Sequence, residues 1–280
     1  MKKSVILYIV PTPIGNLGDM TFRGVEILKK VSLIGAEDTR TSSKLLKHYD
    51  INTKMVSYHK FNERSRVDNF LAKLKNGEDV AIISDAGTPG ISDPSSIIIK
   101  AAIENNIKVE TLPGPTAFIP ALVSSGMSAD RFYFVGFLPE KEKKKKELLE
   151  NLVSIKDTLV FYEAPHRINK FLLSIKKSFG NRKIIIAREL SKIHETFYRT
   201  NIDDILSNPE QLTLKGEFVI IVEGAKLKKY NDSELTEMLI EIINKGESKK
   251  IAIKKVQELS EESRNRIYKL ALGLQISKNY

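Results

Sequence analysis

The chain has 280 residues, 41% of them hydrophobic and 29% charged, and it contains no cysteine. This length predicts two domains with cores large enough to need no disulfide or metal. The lack of cysteine excludes disulfides, iron–sulfur clusters and thiol catalysis. No apolar run reaches the ~18–20 residues of a membrane helix, so we predict a cytoplasmic protein with no membrane partner.

The net charge is +10, and the last 55 residues, with twelve basic and eight acidic side chains, are the most basic part of the chain. A positive charge of this size favours a polyanionic partner such as a nucleic acid. Solubility alone is the alternative, and charge does not decide between the two.

Residues 1–118 alternate apolar strands with amphipathic helices, which is typical of an α/β domain with a mostly parallel sheet. The predicted strands are Ser4–Val10, Val31–Ala36, Lys54–Ser57, Asp79–Ser84 and Lys108–Leu112. The predicted helices are Thr21–Lys30, Thr41–His48, Glu63–Lys75, one from Asp93 to Glu104, and Thr116–Gly126. Asp93 is expected to cap its helix, with Pro94 at the first helical position.

Residues 119–225 contain more strand and alternate less strictly, which predicts a second α/β domain with a mixed sheet. Its strands are predicted at Phe132–Phe137, Thr158–Tyr162, Lys183–Ala187, Thr196–Thr200 and Glu217–Val222, with helices within 139–151, 167–178 and 201–207. The aromatic strand Phe132–Phe137 lacks polar alternation, so we expect it to be buried.

Residues 226–280 carry three apolar stripes at helical spacing, which predict a small all-α module. The stripes are Leu235, Met238, Leu239 and Ile242; Ala252, Val256 and Leu259; and Ile267, Leu270, Ala271 and Leu274. The polar turn Ser260–Ser263 between the last two resembles that of a helix-turn-helix, so Arg264, Arg266 and Lys269 are expected to contact RNA. A bundle that only packs as a structural cap remains an equal alternative.

Three loops rich in glycine and proline, at 11–19, 84–94 and 113–117, each follow a strand and precede a helix. Because ligands bind at the carboxyl ends of strands in open α/β sheets, these loops predict a pocket. The sequence has no Walker A loop, GxGxxG fingerprint, GxSxG elbow or His-Glu-x-x-His. The four histidines show no metal-ligand spacing, so we predict no metal.

Eight motifs make the chain resemble a known family. They are VPTPIGNLGD (10–19), AEDTR (36–40), SDAGTPGISDP (84–94), LPGPTA (112–117), VGFLP (135–139), FYEAPHR (161–167), ARELSKIHE (187–195) and KGEFVIIVEG (215–224). They resemble the tetrapyrrole methylase superfamily and, within it, the ribosomal RNA small subunit methyltransferase I family.

This resemblance implies two α/β domains with S-adenosylmethionine in the cleft between them. It further implies 2′-O-methylation of a cytidine ribose in the decoding region of 16S ribosomal RNA in the small ribosomal subunit, by a homodimer. The cofactor-binding residues implied or proposed from the matched loops are Pro13, Gly15, Asp85, Ala86, Gly87, Thr116, Ala117 and Ala164. The chain departs from the superfamily in the prolines Pro11 and Pro13 of its first loop, which favour the RNA-modifying branch, and in Ala86, where proline is frequent.

Methyl transfer to a hydroxyl needs an aligned nucleophile and a group that accepts its proton. The candidate acceptors in the matched motifs are Glu37, Asp38, Glu163 and His166. Asp85 is expected either to complement the sulfonium charge or to cap its own turn, and His166 can instead fix the turn after Pro165.

Arg40, Arg167 and Arg188 lie beside these loops and are candidates for holding RNA phosphates. The structural alternative pairs them with Glu37, Glu163 or Glu189 in ion pairs. Two further functions stay open: methylation of a tetrapyrrole precursor, and a non-catalytic RNA-binding or ribosome-assembly factor. The basic tail disfavours the first, and the retained loop glycines disfavour the second.

Overall fold

A computed structural model describes residues 5–93, 95–226 and 230–274 of the chain. The chain divides into two compact units, Met1–Gly224 and Ala225–Tyr280. The finer division into domains 1–118, 119–225 and 226–280 stays a prediction. The predicted strand start at Ser4 and the helix position of Pro94 lie outside the described residues.

The first sheet is parallel throughout, with strand order β3-β2-β4-β1-β5. Its strands are β1 (Ile6–Ile9), β2 (Leu33–Ala36), β3 (Met55–Ser57), β4 (Val80–Ile83) and β5 (Lys108–Thr111). The helices are α1 (Phe22–Lys30), α2 (Thr39–His48), α3 (Glu63–Lys75), α4 (Ser96–Glu104) and α5 (Phe118–Ser125). Strands β2 and β4 are buried along their whole length, which explains why they read as unbroken apolar runs.

The second sheet is mixed, as predicted, with order β6-β7-β10-β8-β9. Strands β6 and β7 pair in parallel and the remaining neighbours pair antiparallel. The strands are β6 (Phe132–Phe137), β7 (Thr158–Glu163), β8 (Lys183–Arg188), β9 (Thr196–Asn201) and β10 (Phe218–Val222). The helices are α6 (Glu142–Leu152), α7 (Ile168–Phe179) and α8 (Ile202–Ser207).

Strand β6 lies at the edge of its sheet, so the prediction that it is buried is wrong. Tyr133 is 48% exposed and Phe137 52% exposed. Aromatic packing supports the strand on one side, because Phe134 stacks on Phe118 with ring centroids 4.7 Å apart and meets Tyr162 edge-on at 5.1 Å. The uniform aromatic sequence therefore reflects ring packing at an edge and not burial on both faces.

Helix α4 begins later than the sequence predicts. Its N-cap position is Ser95 and its first residue Ser96, so the expected cap at Asp93 is wrong. The side chain of Asp93 instead lines a cavity, which is described below.

The second unit contains three helices, α9 (Asp232–Asn244), α10 (Lys249–Ser260) and α11 (Arg264–Gly273), which confirm the three predicted stripes. The buried core is Leu235, Leu239, Ala252, Ile253, Val256, Ile267 and Ala271. Leu259, expected in this core, is 65% exposed, and Ile253 takes its place. The turn begins at Glu261 in the left-handed region (φ +54°) and ends at Ser263, whose side chain caps α11.

Hydrogen bonds join the loops at the carboxyl edge of the first sheet. The backbones of Thr12 and Gly87 exchange two bonds of 2.9 and 2.8 Å. The Thr88 hydroxyl donates to the Pro115 carbonyl at 2.9 Å, which ties the loop after β4 to the loop after β5. The three glycine- and proline-rich loops are therefore one connected rim.

Substitution of Gly114 tests how closely the loops of this rim pack. A Cβ atom at Gly114 would lie 2.7 Å from Cβ of Pro11 and 2.9 Å from its Cγ. A proline ring cannot rotate away, so Gly114→Ala is expected to lower the free energy of unfolding by about 1–3 kcal/mol, measured by urea denaturation. In the control Gly18→Ala the nearest atom is the exposed Asn16 side chain at 3.2 Å, and the expected change is within about 0.5 kcal/mol. Equal effects of the two substitutions would show that the loops are not tightly packed.

Candidate active site

A cavity of about 390 Å³ lies at the carboxyl edge of the first sheet and is closed by residues of the second sheet. Its size is in the range of sites that hold small molecules. The first half of the unit contributes Ile14, Glu37, Asp85, Ala86, Gly87, Thr88, Ile91, Ser92, Asp93, Thr116 and Ala117. The second half contributes Phe137, Tyr162, Glu163, Ala164, Pro165, Leu190, Gly216, Glu217, Phe218 and Val219.

Most of the residues that the sequence assigns to cofactor binding line this one cavity. They are Asp85, Ala86, Gly87, Thr116, Ala117 and Ala164. Of the candidate proton acceptors, Glu37 and Glu163 line it as well. Residues that are distant in sequence thus meet because parallel strands end at the same edge.

Four other predicted site residues are not among the lining residues. Pro13 does not line the cavity, whereas its neighbour Ile14 does. Gly15 packs against Lys192, and a Cβ atom at Gly15 would overlap the Lys192 side chain. Asp38 accepts a bond from the backbone N–H of Arg40 at 2.8 Å and caps α2. His166 is exposed on a short 3-10 helix, Pro165–Arg167.

Five carboxylates line the cavity, and within the described part of the chain no lysine or arginine does. Glu163 and Glu217 are paired with Arg167 and Lys192 outside the lining, at 3.0 Å in each case. The other three, Glu37, Asp85 and Asp93, leave the cavity with a negative potential. Such a site favours a small ligand that carries positive charge.

Glu37 follows β2 directly and is half-buried. Burial raises its pKa to about 7, and the nearby charges of Asp93 and Asp85 add to the shift. Burial also raises the pKa of Asp85 and of Asp93. Because its pKa is close to neutrality, Glu37 is suited to accept and release a proton.

Glu163 is buried, and burial raises the pKa of its carboxyl. Its Oε1 accepts from the backbone N–H of Ala164 at 2.9 Å and from Nε of Arg167 at 3.0 Å. Arg167 also donates from Nη2 to the carbonyl of Leu138 at 2.6 Å. Arg167 therefore takes the ion-pair alternative, and it fixes the loop after β7.

Arg188 and Arg40 do not make the ion pairs that were considered for them. Arg188 donates from Nε to the carbonyl of Lys215 at 2.7 Å and so connects two loops. Arg40 pairs with Asp38, at 2.7 Å, and lowers the pKa of that carboxyl to about 2. The Arg40 side chain is 89% exposed, so much of the guanidinium faces solvent.

The segment 189–195 contributes Leu190 to the lining of the cavity, and it was assigned no chemical role from the sequence. Glu189 and Ser191 both have positive φ (55° and 65°), a conformation that costs energy for residues other than glycine. Lys192 holds the segment by donating to Glu189 at 2.8 Å and to Glu217 at 3.0 Å, and the Ser191 hydroxyl donates to Asp19 at 2.6 Å.

Tyr162 lines the cavity, but it was not identified as a site residue from the sequence. Burial raises its pKa to about 12, so it stays neutral, and its ring contacts Phe134 and Phe137. Its place in the motif FYEAPHR was the available signal. The motif 187–195 was the corresponding signal for Leu190.

Among the described residues, no cluster of three or more histidine, aspartate or glutamate side chains is arranged to hold a metal ion. None of the helices in the same ranges combines the length and apolar character needed to cross a membrane.

Comparison with known proteins defines the class first. Residues 6–206 match the family model of tetrapyrrole (corrin/porphyrin) methylases. The uroporphyrin-III-C-methyltransferase of Thermus thermophilus is 15% identical with a TM-score of 0.56, and the alignment covers 78% of this chain and 94% of that one. The methyltransferase CobJ is 16% identical with a TM-score of 0.61, over 82% and 98% of the two chains. These likenesses confirm the predicted fold.

Curated relatives then narrow the family. Proteins named ribosomal RNA small subunit methyltransferase I match from Synechocystis sp., at 43% identity over 96% of this chain and 98% of the relative, and from Bacillus subtilis, at 42% over 89% and 88%. The chain belongs to the ribosomal RNA small subunit methyltransferase I family, within the tetrapyrrole methylases. The resemblance seen in the sequence is confirmed.

Glu37 gives a pH-dependent prediction for the folded chain. Between about pH 4.5 and 7 the native state binds more protons at Glu37 than the unfolded state does, so the free energy of unfolding falls as pH rises through this window. Glu37→Gln removes the effect. The change in the free energy of unfolding caused by Glu37→Gln should therefore be more favourable at about pH 8 than at about pH 5, by about 1–2 kcal/mol.

Urea denaturation of both proteins at the two pH values measures this difference. The substitution Asp93→Asn should lower the pKa of Glu37, followed by NMR titration, because it removes a neighbouring negative charge. A stability difference between the parent and Glu37→Gln that does not change with pH would contradict the raised pKa.

Proposed function

We propose that this chain transfers a methyl group from S-adenosylmethionine to 16S ribosomal RNA, at the 2′-hydroxyl of a cytidine in the decoding region. The observation that carries the proposal is a cavity of small-molecule size with five carboxylates and, among the described residues, no cation in its lining. The names of the curated relatives support the reaction class. The cytidine, the 2′ position and the decoding region rest on the motif resemblance.

The cavity fits S-adenosylmethionine in charge and in size. The cofactor carries a sulfonium, an ammonium and a carboxylate group, so its net charge is positive, and Glu37, Asp85 and Asp93 complement its two cationic groups. Ala86 and Ala117 in the lining leave room for a ligand. When bound, the cofactor supplies a methyl group that the positive sulfur activates for transfer.

Among the four candidate proton acceptors, Glu37 is the one we assign. It lines the cavity, and its pKa of about 7 lets it take a hydroxyl proton near neutral pH. Oε1 of Glu163 already accepts from Ala164 and pairs with Arg167, while Asp38 and His166 are not in the lining. The apolar side chains of Ile14 and Leu190 help to exclude water.

The negative cavity repels phosphate, so the RNA backbone must stay at the rim while one ribose reaches inward. Arg40, at the start of α2, is the cation that we assign to the rim, because its side chain is 89% exposed even while it pairs with Asp38. We set aside Arg167 and Arg188 as RNA contacts, because their guanidinium groups bond to protein carbonyls and, for Arg167, to Glu163.

The C-terminal unit supplies a second surface for RNA. In the described residues, Arg264 and Lys269 lie exposed on α11 without an ion-pair partner. Arg266, expected beside them, instead donates to Asp232 at 2.7 Å and to the Tyr230 carbonyl at 3.0 Å. We therefore propose that Arg264 and Lys269 bind RNA phosphates and that Arg266 holds the module together. The homodimer and the cytoplasmic location stay predictions.

Ribose methylation mapped in ribosomal RNA, with and without the gene, tests the function. We expect one 2′-O-methylcytidine of 16S ribosomal RNA to disappear when the gene is removed.

In calorimetry, Ala86→Trp and Ala117→Trp should weaken cofactor binding at least tenfold, because an indole would fill the cavity. The control Ala72→Trp, at an exposed position of α3, should bind normally. An unchanged methylation map would favour a non-catalytic factor, and a methylated tetrapyrrole would favour the other branch of the superfamily.

Charge reversal at Arg264 and Lys269 tests the role of the tail. The double variant should bind RNA more weakly, and the slope of log affinity against log salt should fall by roughly 0.7–0.9 for each phosphate that the protein no longer neutralises. Cofactor affinity should not change. The control Lys245→Glu, at the end of α9, removes a cation that is already paired with Glu241, and it should have a smaller effect. Full RNA affinity in the double variant would make the module only a structural cap.

A further inference from the structure

The phenyl ring of Phe61 is 95% exposed in the short loop that joins β3 to α3. The ring meets that of His59 edge-on, with centroids 6.1 Å apart, but it belongs to none of the core clusters of the described residues, so it contributes little to the fold. Its position therefore invites a functional explanation.

The loop that carries Phe61 is held rigidly by its own hydrogen bonds. The Asn62 side chain accepts from the backbone N–H of His59 at 2.8 Å and donates to the Ser57 hydroxyl at 3.0 Å. The backbone N–H of Tyr58 donates to the Ala36 carbonyl at 2.7 Å, and the Tyr58 ring is buried. The backbone around Phe61 is thus ordered before binding, so little backbone entropy is lost when the ring binds a partner.

The strand order places this ring beside the cavity. Strands β4, β2 and β3 are neighbours and run parallel, so the loops bearing Asp85, Glu37 and Phe61 leave the same edge in that order. Strands are about 4.8 Å apart, which sets β3 roughly 10 Å from β4. Because β3 ends the sheet, Phe61 stands at the outer end of this row.

The cations around the ring point to an anionic partner. Lys60 and Arg64 are exposed, and neither has a hydrogen-bonding or ion-pair partner in the part of the chain that the structure describes. Arg40, in the first turn of α2, is 89% exposed as well and pairs with Asp38. One aromatic ring among several solvated cations fits nucleic acid, whereas a contact with a second copy of this chain would bring like charges together.

We propose that Phe61 stacks on the base of an unpaired nucleotide next to the one whose ribose enters the cavity, while Arg40, Lys60 and Arg64 contact the flanking phosphates. This inference rests on the proposed function and adds a specificity: the substrate must be single-stranded or splayed beside the target. Bases inside a duplex are already stacked on each other and have no free face for Phe61.

Replacement of the ring tests the proposal with the full-length protein and small-subunit ribosomal RNA. Phe61→Ala should weaken RNA affinity and raise KM for RNA roughly 10- to 100-fold, whereas Phe61→Tyr, which keeps the ring, should stay close to the parent. Cofactor affinity should be unchanged in both. The control Tyr133→Ala removes an exposed aromatic side chain near the amino end of β6, away from the cavity, and should not alter RNA binding.

A fluorescence measurement gives a direct signal of stacking. The sequence has no tryptophan, so Phe61→Trp introduces a single indole fluorophore at this position. Stacking on a base should quench its emission when single-stranded RNA is added, and duplex RNA should quench it much less.

The outcomes separate this inference from the function on which it rests. If the parent methylates RNA and Phe61→Ala does so with the same KM, the stacking role is wrong and the function stands. If Phe61→Ala changes the oligomeric state but not RNA affinity, Phe61 belongs to an interface between copies and the inference is wrong. A parent that neither binds nor methylates RNA would overturn both.

Discussion

The backbone bridge between Thr12 and Gly87 fixes the relation between two loops that would otherwise be independent. The bond from Thr88 to Pro115 adds the loop after β5, and the bond from the Asp38 N–H to Asp85 Oδ1, at 3.0 Å, adds the loop after β2. The shape of the cavity, the burial of Glu37 and the row of loops leading to Phe61 all depend on this connected edge. A binding site built in this way loses little conformational freedom when a ligand enters.

At this edge of the sheet, a negatively charged cavity lies within a positively charged protein. The chain as a whole is strongly basic, yet the cavity is lined by carboxylates. In the function we propose, a cationic cofactor is attracted inward and a polyanionic RNA is held at the rim by exposed cations such as Arg40. Charge thereby prevents phosphate from entering the space that the cofactor requires.

The sequence predicted those features that depend on local patterns. Helix α3 has the predicted bounds, Glu63–Lys75, because its apolar side chains recur at helical spacing. Parallel strands with glycine-rich ends were enough to predict the pocket, and the matched motifs supplied six of its lining residues. The matched motifs fixed the family, which the periodicity of the chain alone did not.

Features that depend on distant partners were not predictable in this way. Spacing on α11 placed Arg266 beside Lys269 but did not reveal Asp232, which lies on a different helix and holds Arg266. Strand β6 was predicted to be buried because it lacks polar alternation, and the sequence did not show that Phe134 packs on Phe118 and Tyr162 at a sheet edge. The raised pKa of Glu37 depends on burial and on Asp93, whose side chain was expected to cap a helix.

Recognition of the cofactor's positive charge by ionised carboxylates in the cavity is the central claim. Calorimetry of S-adenosylmethionine and of S-adenosylhomocysteine, whose thioether lacks the sulfonium charge, at several pH values between about 5.5 and 8 tests it most directly. As Glu37 ionises through a pKa of about 7, the ratio of the two affinities should shift toward the sulfonium form, and Glu37→Gln should reduce that shift. A ratio that stays constant with pH in the parent protein would contradict the claim.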